Sequence, residues 1–78
     1  MDNNRYDIFL KDFGKHLRLI RKEKGLSMEA VAYKAEIEYR QLGRIERGEV
    51  NTTLISLLRI AEALEVDLNS FFEFTKSK

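Results

Sequence analysis

Arg40 and Arg44 stand four residues apart in the segment Tyr39-Arg40-Gln41-Leu42-Gly43-Arg44-Ile45-Glu46-Arg47. On a helix that spacing puts both guanidinium groups on one face. Each group is a planar fork of donors that can bond two acceptors at once, such as O6 and N7 of guanine, for roughly 1–3 kcal/mol of discrimination against a wrong base. Tyr39, at the start of the segment, offers a ring that can stack on a sugar or touch a thymine methyl. This is chemistry of recognition. Chemistry of turnover lacks its parts. His16 is the only histidine and cysteine is absent, so neither a metal set nor a His-centred acid–base pair can be assembled. Asp12, Glu23 and the other acids have no partner at a catalytic or metal-binding spacing. No nucleophile with its base, Gly-rich phosphate loop or zinc motif occurs. The chain is therefore expected to be no enzyme and to need no metal, cofactor or small-molecule ligand.

The 78 residues suffice for a single domain (1–78, core 9–74, ends frayed) and exclude a large enzyme with a deep cleft. Without disulfides such a domain has modest stability. No apolar run reaches the roughly 18 residues of a membrane span, and the start Met1-Asp2-Asn3-Asn4 is not a signal peptide. A cytoplasmic protein with no membrane partner is expected. The net charge of +1 excludes a polybasic protein, but its distribution is uneven. Residues 1–24 carry Arg5, Lys11, Lys15, Arg18, Arg21, Lys22 and Lys24 against Asp2, Asp7, Asp12 and Glu23. A local basic face can coexist with a neutral total, although a solvated helix surface explains the same charges.

The elements that would hold these groups follow from periodicity. Phe9, Phe13, Leu17 and Ile20 form one stripe of a helix over about 6–24, with Gly14 beside it to admit a neighbouring helix and Gly25 as its stop. Ser27 caps a second helix, about 28–35, whose inner face is Val31, Ala32 and Ala35. A third, about 39–47, turns Leu42 and Ile45 inward and ends at Gly48, leaving Tyr39, Arg40, Gln41, Gly43, Arg44 and Arg47 outside or at the flanks. Thr53 caps a fourth, about 54–64, with Leu54, Leu57, Leu58, Ile60, Ala61 and Leu64 filling the core and helix side. Asp67 opens a last short helix, about 68–74. No strand-like alternation occurs, so the fold class is all-α with five helices. The two short helices at 28–35 and 39–47, joined by Glu36-Ile37-Glu38, make a helix-turn-helix, whose second helix can enter the DNA major groove.

From Phe13 to Phe72, without a gap, the sequence resembles the XRE-type helix-turn-helix family of phage repressors and Cro, and especially the controller proteins of restriction–modification systems. The matching residues are Phe13-Gly14, Leu17-Arg18, Ile20-Arg21, Gly25-Leu26-Ser27, Val31-Ala32, Ile45-Glu46-Arg47-Gly48, Asn51, Leu54, Leu57, Ile60-Ala61, Ala63-Leu64, Val66 and Phe71-Phe72. The resemblance implies a lambda-repressor-like domain that binds double-stranded DNA through the third helix. It places Tyr39, Arg40 and Arg44, with Gln41 as an addition, at base edges. It places Arg47, Asn51 and Thr52 at phosphates, joined by Ser27 and Met28 at a helix N-terminus. Lys34 is a weaker phosphate candidate, equally well explained as a solvated side chain. Arg21 and Glu46 match a structural ion pair between the first and third helices.

Four positions depart from the family pattern. Met28 replaces a Gln that contacts phosphate, Glu36 and Glu65 replace turn glycines, and Glu38 replaces a Ser cap. Glu36 and Glu38 bring negative charge beside the expected DNA surface, where Glu38 either accepts from cytosine N4 or repels phosphate.

One recognition helix reads too few base pairs to single out a site, whereas a dimer sets two of them roughly 34 Å apart on a palindrome. Ile55, Val66, Leu68, Phe71, Phe72 and Phe74 remain after the core is filled, and they are the expected dimer surface. The alternative is a monomer whose Phe residues close its own core. The expected function is a dimeric, sequence-specific transcriptional regulator of a prokaryote. The competing reading is an antitoxin-like interaction module working through the fourth and fifth helices.

Overall fold

The computed structural model describes residues 4–75. It contains α1 (Asn4–Glu23), α2 (Met28–Ala35), α3 (Tyr39–Glu46), α4 (Leu54–Leu64) and a 3-10 helix (Leu68–Thr75). Of the expected frayed ends outside 9–74, residues 4–8 and 75 are helical, and residues 1–3 and 76–78 lie outside the described residues. Among the described residues no helix is long and apolar enough to cross a membrane.

Local chemistry sets the helix ends. The Ser27 hydroxyl accepts from the Ala30 N–H at 3.0 Å, and Thr53 Oγ1 accepts from the Ser56 N–H at 3.1 Å, so both expected caps are in place. Glu38 stands at the N-cap of α3 with no side-chain hydrogen bond, as its length leads one to expect. Glu36 and Glu65 end α2 and α4 in the left-handed region, at φ 58° and 59°. Each still closes its helix, because the cap N–H reaches back to the last turn. Arg59 Nη1 also donates to the Glu36 carbonyl at 3.4 Å.

The core draws Phe13, Leu17 and Ile20 from α1, Val31, Ala32 and Ala35 from α2, Leu42 and Ile45 from α3, Leu57, Ile60, Ala61 and Leu64 from α4, and Phe71 from the 3-10 helix. The last element is a 3-10 helix where an α-helix was expected. Three residues per turn align Leu68, Phe71 and Phe74 on one side. There Phe71 is fully buried and the Phe13 ring meets it edge-on at 6.1 Å.

Burial corrects the sequence reading at several positions. Phe71, expected at a dimer surface, has no exposed area to offer. Leu54 and Leu58, expected in the core, are 67% and 41% exposed. Phe9 leaves the buried stripe and lies in the open against Phe74, with ring centroids 5.4 Å apart. Gly43 is buried rather than at the flank. His16 is a structural residue, its Nε2–H donating to the Ser70 carbonyl at 2.8 Å.

α1 and α3 touch through two glycines. A Cβ on Gly14 would lie 2.3 Å from the Glu46 carbonyl oxygen and 2.6 Å from that of Ile45. Gly48, with φ of 72°, sits against the Lys11 backbone, where a Cβ would meet the Lys11 Cα at 2.6 Å. Backbone atoms cannot step aside as a side-chain tip can. Gly14→Ala is therefore expected to cost about 1–3 kcal/mol or more, the range for overpacking. In urea unfolding its midpoint should fall well below that of Gly43→Ala, whose Cβ meets only the flexible ends of Arg47 and Met28. Equal midpoints would show that the helices can separate freely.

Candidate nucleic-acid interface

The position of α3 is fixed by an ion pair inside the molecule. Arg21 Nε donates to Glu46 Oε2 at 2.7 Å, and Nη2 donates to Oε1 at 3.0 Å. Arg21 Nη1 also reaches the Leu26 carbonyl at 3.0 Å, so one guanidinium ties α1, α3 and the start of α2 together. Both side chains are more than nine-tenths buried. The hydrogen bond to Glu46 raises the Arg21 pKa, burial opposes it, and the charge of Glu46 adds to the rise.

With Leu42, Ile45 and Glu46 turned inward, α3 presents Tyr39, Arg40 and Arg44 to solvent. Neither Arg40 nor Arg44 has a hydrogen bond or ion pair among the described residues. Both line a cleft of about 240 Å³ with Glu38, Gln41, Val50, Asn51, Thr52 and Thr53. The structure thus brings together Arg40, Arg44, Asn51 and Thr52, which the sequence had placed as base and phosphate candidates. Glu38 lines the same cleft.

Gln41 lines the same cleft, half-buried, with Nε2 3.5 Å from Ser56 Oγ of α4. Other expected positions separate. Thr52 Oγ1 is buried without a partner among the described residues, which leaves the main chain as the group able to meet a phosphate at that position. Ser27 and Met28 lie at the N-terminal end of α2, and Lys34 lies at the opposite end, beside Glu36, Arg59, Glu62 and Glu65. Met28 packs partly against the core, and its methyl lies 3.3 Å from where a Gly43 Cβ would stand. An apolar contact therefore braces α2 on α3 where the family uses a polar side chain.

Arg47 has a partner that the sequence reading did not anticipate. Its Nε donates to Glu49 Oε2 at 2.8 Å, and Nη2 donates to Oε1 at 3.3 Å. That hydrogen bond holds the Glu49 carboxyl below the usual carboxylate range; slight desolvation opposes it, and the charges of Arg47, Arg44 and Lys11 reinforce it. An Arg and a Glu on either side of a helix-ending glycine, in Arg47-Gly48-Glu49, was the available signal.

A family model described as helix-turn-helix matches residues 17–71, more than half of the chain. The chain belongs to the XRE-type helix-turn-helix family. It is similar to a control protein of a Mycoplasma species, C.MunI, at 34% identity over 61 residues, 77% of this chain and 82% of that one. It is also similar to the HTH-type transcriptional regulator y4dJ of Sinorhizobium fredii, at 38% identity over 53 residues, 68% of this chain and 69% of the relative. Among solved structures it is similar to the restriction–modification controller protein C.AhdI of Aeromonas hydrophila. That match has a TM-score of 0.82 at 35% identity and covers 83% of this chain and 98% of the other. These relatives are regulators and controller proteins, not enzymes.

Removing one partner of the buried pair leaves the other uncompensated. Glu46→Ala is expected to cost about 3–5 kcal/mol, whereas Arg21→Met with Glu46→Leu should lose far less, as apolar replacement of both charges often does. Thermal and urea melts of the two variants test this. A double variant as weak as Glu46→Ala would place the value of the pair elsewhere than in charge matching.

Proposed function

We propose that this helix-turn-helix protein is a sequence-specific DNA-binding transcriptional regulator that acts as a homodimer on a pseudo-palindromic operator. The observation that carries the reading is the Arg40–Arg44 face. Two exposed guanidinium groups without a hydrogen bond or ion pair among the described residues stand on a helix that a buried ion pair and two glycine contacts hold in place. Rigid presentation matters, because bidentate contact with guanine tolerates little error in direction. Arg40 and Arg44 would read base edges, with Tyr39 beside them. Asn51, the main chain at Thr52, Arg47 and the N-terminal end of α2 at Ser27 and Met28 would meet phosphates.

The homodimer rests on the surface of α4. Leu54, Ile55 and Leu58 are 67%, 60% and 41% exposed and adjoin one another on the helix at spacings of one, three and four. Ile55 belongs to the surface expected from sequence, and Leu54 and Leu58 enlarge it. Val66, Leu68, Phe72 and Phe74 are half-buried against their own core and would contribute only rims. Coupling DNA binding to dimerisation makes operator occupancy a steep function of protein concentration. The same apolar face would serve a heterologous protein in the antitoxin-like reading.

Selection of bound duplexes from a random pool tests the first half. The wild type is expected to enrich a two-fold symmetric motif with half-sites about one turn apart, and Arg44→Ala to lose enrichment at its base position while melting normally. Absence of any enriched motif from the folded wild type would overturn the regulator reading. Sedimentation of Leu58→Glu tests the second half. The variant should sediment as a monomer and bind a single half-site weakly; an unchanged dimer would remove α4 from the interface.

A further inference from the structure

Glu49 is a charged residue of the reading face with no role in the function just proposed. Its place is set by the main chain: its N–H donates to the Arg44 carbonyl at 2.9 Å, closing the last turn of α3 beyond the left-handed Gly48. This is the carbonyl end of the helix, where the backbone dipole disfavours negative charge. The helix gains nothing from an acid there. The bridge to Arg47 is half-exposed at both ends, 58% and 50%, so it adds little to stability either.

What the carboxylate does is occupy Arg47. The two bonds, at 2.8 and 3.3 Å, use the same Nε and Nη2 donors that a phosphate with two free oxygens would take. Arg47 Nη1 lies 3.0 Å from the place a Gly43 Cβ would hold, next to the Met28 methyl. The guanidinium therefore rests beside the N-terminal end of α2, where a phosphate is expected. Gly48 is wedged on the Lys11 backbone, so residues 47 and 49 cannot swing apart by rotating the turn. Arg44 and Lys11 are close enough to feel the same carboxylate.

We propose that Glu49 is a built-in substitute for a DNA phosphate that occupies Arg47 in the free protein and thereby lowers the affinity for every duplex that offers Arg47 a phosphate, the operator included. The inference rests on the DNA-binding reading above. Binding to random duplex is almost wholly charge neutralisation, and Glu49 cancels one charge where that neutralisation takes place. A phosphate that takes the Nε and Nη2 donors of Arg47 must first displace the carboxylate, and the cost of that displacement lowers the affinity wherever the contact forms.

The test uses the full chain, with the duplex selected above and a shuffled duplex, titrated by fluorescence anisotropy at 50, 100 and 200 mM salt. Glu49→Gln is expected to tighten binding to both duplexes at least threefold at 50 mM, and to the operator at least as much as to the shuffled duplex. The gain should shrink about threefold by 200 mM, as one added phosphate contact requires. In an Arg47→Gln background the same substitution should change nothing. A gain that survives without Arg47 would show a general charge effect and overturn the proposal, as would no gain on either duplex. Loss of operator affinity in Glu49→Gln would overturn it too, since Glu49 would then be reading a base. If the wild type binds neither duplex with salt dependence, the DNA-binding reading itself fails and the proposal falls with it.

Discussion

The contact between α1 and α3 is the constraint on which the other features rest. Gly14 lets the carbonyl end of α3 lie directly on α1, and Gly48 lets the turn after α3 lie on α1 at Lys11. Between them, the guanidinium of Arg21 grips the carboxylate of Glu46. Two steric contacts and one bidentate bond leave α3 no freedom to roll. The orientation of Arg40 and Arg44, the cleft they share with Asn51 and the position of Arg47 all follow from that fixed roll angle. A small domain has little apolar area with which to enforce such precision. Close backbone approach and a directional ion pair supply what area alone cannot.

A second theme is negative charge in places where local rules disfavour it. Glu36 and Glu65 hold left-handed φ values that favour glycine, Glu38 stands at a cap it cannot fill, and Glu49 stands at a helix carbonyl end. Glu38 and Glu49 border the reading face. A surface optimised for tight binding to any DNA would avoid both. Their presence fits a protein whose affinity for DNA is held below what its arginines alone would reach.

Much of this was legible in the residues. The apolar periods gave helix bounds within a few residues, and Ser27 and Thr53 marked two N-termini because their hydroxyls have few alternative uses beside an apolar run. Gly14 announced a close approach, and the resemblance to the family implied the ion pair of Arg21 and Glu46. The misreadings share one cause, which is that periodicity gives a face but not what covers it. Leu54 and Leu58 have helical spacing consistent with the core, yet the small Ala61 and Ala63 are buried in α4 while those larger residues are left outside. Phe71 looked like surplus because the 3-10 geometry that turns it inward has no strong sequence signal. The Arg47–Glu49 bridge depends on the turn that Gly48 makes and so was hidden from any reading of single helices.

The 3-10 helix also bears on the order in which the protein is made. His16 and Ser70 are bonded across 54 residues of chain, and Phe13 receives the Phe71 ring from the same segment. At roughly 5–20 residues per second of synthesis, about 3–11 s separate the emergence of the two sides. During that interval Phe13 lacks the ring that closes its side of the core. A burst of translation therefore becomes a pool of finished readers only after a delay of seconds, set by the distance along the chain between Phe13 and Phe71.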